Sequence, residues 1–129
     1  VFLIKFQALL EIGTDYLPLV WIAGHAFSRF VAITLLLPLG YVGDSGSKSS
    51  SMVSLNKTGW AVAALCGMLP LLGLGRASIP AFFACLLFFW VLWRFFEKRL
   101  GGVTGDCLGA AQQLTETLFY LAMALSLKY

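Results

Sequence analysis

"AFFACLLFFWVLWRFF", Ala81–Phe96, is the stretch on which the fold turns. Arg94 is its one charged residue, and its rings fall at Phe82, Phe83, Phe88, Phe89, Trp90, Trp93, Phe95 and Phe96. At 100° per residue these rings surround a helix instead of lining one face, so no side of it suits water. A helix that is apolar all round is buried in a large core or in a bilayer. A chain of 129 residues is too short to make such a core. The whole composition agrees: 60% of the residues are hydrophobic, 12% are charged, and mean hydropathy is +0.87. Soluble domains carry roughly twice that share of charge. The solvent this chain expects is therefore lipid, with Trp90, Trp93 and Arg94 placed as at a headgroup boundary.

Working outward, a spanning helix needs roughly 20 apolar residues. Candidate spans run over 1–12, which reads as cut short at its start, and over 16–41, 59–75, 79–96 and 106–127. The prediction is an all-α, polytopic integral membrane helical bundle of about five transmembrane helices, with residues 1–129 as one transmembrane domain. Helices satisfy their own backbone in hydrocarbon, and an open segment of any other kind does not. Pro38 and Pro70 lie within spans, where neighbouring helices tolerate a local break. The connections are "GTD" at 13–15, "GDSGSKSSSMVSLNK" at 43–57, "GRAS" at 75–78 and "EKRLGGVTG" at 97–105. The Ser-rich run at 43–57 reads as a mobile cytoplasmic loop. Lys48, Lys57, Arg94, Lys98 and Arg99 fall on one side of the threading and Arg76 and Lys128 on the other. That bias puts the loops at 43–57 and 97–105 in the cytoplasm.

The net charge of +3 is modest, and the basic residues gather at the ends of apolar runs, which gives no support to nucleic-acid binding. Cys66, Cys85 and Cys107 are isolated, with no CxxC and no His at metal-ligand spacing, and read as packing residues. The first residues lack the basic segment and cleavage site of a signal peptide, and read as the interior of a longer chain.

The polar residues that interrupt the spans carry the chemistry. In "GGVTGDCLGA", Gly101, Gly102 and Gly105 permit a sharp turn and a close ligand approach, Thr104 can cap the next helix, and Asp106 opens it. A carboxylate there suits a hard cation that bridges phosphate oxygens. The same residues also describe an ordinary helix start, and locally the two readings stand level. Down the following helix, Asp106, Gly109, Gln113, Thr117 and Tyr120 share a narrow sector, with Glu116 at its edge. Such a stripe in lipid must face protein or a water-filled cavity. Arg29 lies mid-span, where a cation costs roughly 2.5–3.5 kcal/mol. It has three readings: a pair with Glu116, a pair with Asp106, or a phosphate contact. Ser28 either contacts a ligand or bonds the preceding turn. His25, one turn before Arg29 on the same face, reads as an interior residue and is not counted in the site. Lys5 either snorkels or faces a cavity.

With these residues in hand, "LGGVTGDCLGA" followed by "AQQLTETLFYLAMAL" resembles the C-terminal end of the cobalamin synthase, or adenosylcobinamide-GDP ribazoletransferase, family of integral membrane proteins. The similarity takes in Ser28-Arg29 and Lys5, and is weakest at 43–57. The resemblance implies an enzyme of the last steps of cobalamin biosynthesis in a bacterial or archaeal cytoplasmic (inner) membrane. It implies that adenosylcobinamide-GDP is joined to α-ribazole or its 5′-phosphate, with Mg²⁺ as cofactor and GMP released. A ribose hydroxyl attacks the cobinamide phosphate, a transfer that needs positioning and charge neutralisation more than covalent help. The implied roles are Asp106 as metal ligand and, with Arg29, as catalytic residue. Lys5, Ser28, Arg29, Gly101, Gly102, Thr104 and Gly105 are then the substrate-binding residues. The family also looks to use an upstream acidic motif of the D-G-x-x-D-x-x-D-G type, which these residues lack, Asp15 and Asp44 being solitary. The sequence thus reads as the C-terminal half of the enzyme, inactive by itself and partnered by the N-terminal half; a homo-oligomer is compatible with it. The rival reading is a transporter or channel subunit with Arg29 and Glu116 lining a pathway. A second rival is a structural subunit whose polar stripe is a packing seam.

Overall fold

The computed structural model describes residues 1–42 and 56–129, so the loop predicted at 43–57 lies, apart from Asn56 and Lys57, outside the described residues. The described chain is helical: α1 (Phe2–Glu11), α2 (Leu17–Thr34), a four-residue α3 (Leu36–Leu39), α4 (Lys57–Leu74), α5 (Ser78–Leu100) and α6 (Gly105–Lys128). A single 3₁₀ turn, Gly75–Ala77, joins α4 to α5.

Local chemistry accounts for the ends. The side-chain oxygen of Asn56 accepts from the Gly59 N–H at 2.6 Å and starts α4, as a short polar side chain does at a helix N-cap. Ser78 donates its hydroxyl to the carbonyls of Gly75 (2.8 Å) and Leu71 (3.2 Å), which ties the α4–α5 turn together. Gly101 ends α5 at φ +65°, its N–H bonding the Phe96 carbonyl at 3.1 Å. A left-handed position of this kind suits glycine. Helix α5 therefore runs through Glu97-Lys98-Arg99, which the sequence assigned to a loop, because basic residues are favoured at a helix C-terminus.

The expectation of about five transmembrane helices is corrected. Four described helices have 18 or more residues, and two continuous stretches, Leu17–Leu39 and Lys57–Leu100, are long and apolar enough to cross a membrane. Helix α1 has ten residues, about 15 Å at 1.5 Å per residue, against a hydrocarbon core of about 30 Å. Helix α6 is long enough, but its polar stripe lowers its apolarity. The Lys57–Leu100 stretch folds back on itself, since Met68 of α4 and Phe82 of α5 line one recess with Phe27 and Phe30 of α2.

Helix α6 is the centre of the packing, touching α1, α2 and α5, while α4 lies on the far side of α2. Antiparallel α2 and α6 close tightly at Gly24, where an added Cβ would overlap the Tyr120 and Phe119 rings. Gly67 does the same for α4, whose Cβ would meet Phe30. Small residues at such crossings let backbones approach. One core gathers Val20, Phe27, Cys85, Phe119 and Met123. A second gathers Leu35, Leu92, Phe96, Val103 and Ala111 around the glycine-rich loop. Large apolar side chains face outward on the other sides, with Leu72 77% and Leu87 64% exposed. Thr115, Glu116, Thr117 and Tyr120 of α6 are buried instead, the reverse of a water-soluble fold.

Candidate functional site

The loop at 101–105 is built against the end of α3. Gly102 is buried where an added Cβ would overlap Val42. The Val103 N–H bonds the Gly40 carbonyl at 3.1 Å, and the Val103 carbonyl accepts from the Val42 N–H at 2.9 Å. Val103 itself is fully buried, so the loop is a fixed shelf whose outer edge carries Gly101, Gly105 and Asp106, all exposed. Thr104 caps α6, its hydroxyl oxygen accepting from the Cys107 N–H at 3.4 Å. The carboxylate of Asp106 has no hydrogen-bond or ion-pair partner among the described residues.

Ten residues further along α6, about 15 Å down the axis, a second polar centre closes around Glu116. One carboxylate oxygen, Oε2, takes the Lys5 ammonium at 2.8 Å, and Lys5 also donates to Gln113 Oε1 at 2.5 Å. The other, Oε1, accepts from the Tyr120 hydroxyl at 2.9 Å and lies 3.5 Å from His25 Nδ1. Tyr120 OH is also 3.3 Å from the Trp21 carbonyl. The Glu116 side chain is 6% exposed, Lys5 12% and His25 48%. A carboxylate this deep persists when its lone pairs are filled by donors. Here α1 supplies Lys5, α2 supplies His25 and α6 supplies Tyr120, so a single acid ties three helices.

The structure thus separates the residues that the sequence singled out. Lys5 is turned inward to Glu116. Ser28 is fully buried and donates to the His25 carbonyl at 3.1 Å, bonding its own preceding turn. Arg29 pairs with neither Glu116 nor Asp106; it is exposed, without a side-chain partner among the described residues, in a groove of about 570 Å³ between α2 and α4. Trp21, Ile22, His25 and Ala63 share that groove. Because α2 is antiparallel to α6, Arg29 lies one turn from His25 in the direction of the Asp106 shelf. His25 and Tyr120 are the residues that sequence reasoning undervalued. The spacing of Glu116 and Tyr120, four residues apart on a helix, was the available signal for one of them. Nothing local pointed from His25 to Glu116, 91 positions away.

The arrangement offers an exposed carboxylate at a helix start, a guanidinium without a side-chain partner among the described residues, and an imidazole beside a buried acid. Among the described residues no three His, Cys, Asp or Glu side chains come together to hold a metal ion. Asp106 is one carboxylate and does not by itself make a magnesium site, for which further ligands are needed.

Comparison with known proteins identifies the family. The family model described as cobalamin-5-phosphate synthase matches residues 1–124. The adenosylcobinamide-GDP ribazoletransferase of Ralstonia nicotianae is 40% identical over 120 residues, covering 90% of this chain and 46% of that protein. The protein of the same name from Vibrio cholerae is 38% identical over 97% of this chain and 49% of its own length. That from Shewanella frigidimarina is 37% identical over 95% and 49%. The chain spans about half the length of the curated relatives it matches, on their C-terminal side. No solved structure matches it. Relatives named as transferases, together with a Glu116 that is enclosed by its partners, leave the pathway reading of Arg29 and Glu116 without support.

Proposed function

The chain belongs to the cobalamin-5-phosphate synthase family, and from that premise we propose that it forms part of a membrane-embedded transferase that joins adenosylcobinamide-GDP to α-ribazole or its 5′-phosphate. The bond formed is between a ribose hydroxyl oxygen and the cobinamide phosphorus. The bond broken releases GMP. Such a displacement is accelerated by holding the partners in line and by neutralising phosphoryl charge. The glycine shelf with Thr104 and Gly105 is suited to a close phosphate approach, and Arg29 to a bidentate phosphate contact. Asp106 is positioned to contribute one carboxylate to a Mg²⁺ whose remaining ligands come from outside the described residues and from substrate.

The observation that carries this reading is the pairing of family membership over 1–124 with a backbone-anchored loop that presents an exposed Asp106 without a partner among the described residues. The outward apolar side chains and the two long apolar stretches support placement in a membrane, which on the family reading is the bacterial or archaeal cytoplasmic (inner) membrane. The basic residues Arg94, Lys98 and Arg99 support a cytoplasmic position for the shelf. Asp106→Asn in the intact transferase tests the site. Consumption of adenosylcobinamide-GDP should fall roughly 10²-fold or more while the protein still inserts and melts as before. An unchanged rate removes Asp106 from the site.

A further inference from the structure

Helix α1 covers only part of the α6 face on which it lies. Lys5 reaches Gln113 and Glu116, and Glu11 pairs with Lys128 at 3.9 Å, so the two helices run parallel and α1 ends near the end of α6. The face beneath α1 carries Gln113, Leu121, Ala124 and Lys128. At 100° per residue Asp106, Gly109 and Ala110 continue that same face towards the start of α6. These three and Gln113 are exposed, and a Cβ added at Gly109 would meet nothing within 4 Å. Gln113 accepts from Lys5, while its amide N–H groups have no acceptor among the described residues. A helix face of small and polar side chains is unsuited to lipid and suited to a second helix.

The dimensions of α1 point to the occupant. Its Lys5 N–H bonds the Val1 carbonyl at 3.0 Å, so the chain is already helical there. Lys5 touches Gln113, which places Val1 within about one turn of Gln113 along the axis. Ten residues give α1 about half the height of a hydrocarbon core, so roughly ten more complete a span. From Gln113 back to Asp106 is about 10 Å of helix. The length by which α1 falls short of a span thus reaches past the part of α6 left bare. The matched relatives carry about as much chain again on the N-terminal side.

Resting on family membership and not on the transfer chemistry, we propose that the segment immediately before Val1 in the intact protein continues α1 as one helix and packs on Asp106, Gly109 and Gln113 of α6. Residues about four before Val1 lie against Gly109 and Ala110, and residues about seven before it lie beside Asp106. The small side chains let the two backbones close, as Gly24 does where α2 crosses α6. Asp106 then stands in a cleft between α1 and α6, and the side chains facing it across that cleft come from the N-terminal half of the same chain.

The test uses the full-length protein in membranes, its native cysteines replaced. Ala110→Cys is combined in turn with a cysteine at each of the roughly twelve positions before Val1, about three turns of helix. Under mild oxidation a disulfide forms where the Cα atoms come within about 7 Å. Intramolecular disulfides are expected about three to five positions before Val1, recurring at helical spacing and missing from the opposite face. Gly109→Leu should lower the melting temperature by roughly 3–10 °C, because its side chain meets the added helix. Leucine is the better helix former, so a lipid-facing position 109 gives an unchanged or raised melting temperature, and that result overturns the proposal. No disulfide to any upstream position also overturns it. A disulfide between two copies through Ala110→Cys alone assigns the face to a second chain, and one to Ser50→Cys assigns it to the 43–57 loop; each overturns the upstream helix. Neither readout uses turnover, so failure of the transferase reading, seen as an unchanged rate in Asp106→Asn, is a separate outcome.

Discussion

Glu116 shows how one side chain can be expensive and indispensable together. Burying a carboxylate costs several kcal/mol, and the Lys5, Tyr120 and His25 donors offset that cost only while all are present. Lys5→Met removes the ammonium that pairs with the buried acid and should destabilise the fold by about 3–5 kcal/mol. Lys5→Met combined with Glu116→Gln removes both charges and should recover most of that loss. Thermal or denaturant unfolding in micelles reads both, and additive losses would show that the pair is not coupled. At Gly24 the constraint is steric: Gly24→Val drives a side chain into the Tyr120 and Phe119 rings. It should cost about 1–3 kcal/mol by overpacking, seen in the same assay. The sequence disclosed Glu116 as an acid out of place in an apolar helix. Its partners were not legible, since Lys5 and His25 reach it from 111 and 91 positions away.

Helices follow their own local rules, and at this scale the sequence was a good guide. Predicted spans at 59–75 and 106–127 agree closely with Lys57–Leu74 and Gly105–Lys128; Thr104 was legible as the cap of α6, whereas Asn56, the cap of α4, was left in the preceding loop. The end of α5 was misjudged by several residues because a charged run resembles a loop, whereas Gly101 alone stops the helix. Gly101→Ala should destabilise the shelf by about 1–2 kcal/mol through its positive φ. Thr104→Ala should cost about 1 kcal/mol through the lost cap. Hydrogen exchange of the first turn of α6 distinguishes them from a global effect: faster exchange confined to that turn is expected, and uniform acceleration would contradict it.

For the whole molecule, apolar outer faces with a polar seam inside make lipid the expected surroundings. Lys98→Cys, in a protein whose native cysteines are replaced, should react with an impermeant maleimide in inside-out vesicles and stay protected in right-side-out ones. The opposite pattern would reverse the orientation drawn from Arg94, Lys98 and Arg99. Composition and periodicity by themselves determined the solvent, the helical class and the polar face of α6, because the cost of apolar surface in water and of bare backbone in lipid is paid residue by residue, whatever the packing. Only the tertiary structure decided that Lys5 and His25 converge on Glu116, that Ser28 bonds its own turn, and that Arg29 stands in a groove without a side-chain partner among the described residues. Those outcomes depend on which helices cross at Gly24 and Gly67 and at what height, and crossing is a property of side chains far apart in sequence meeting at short range.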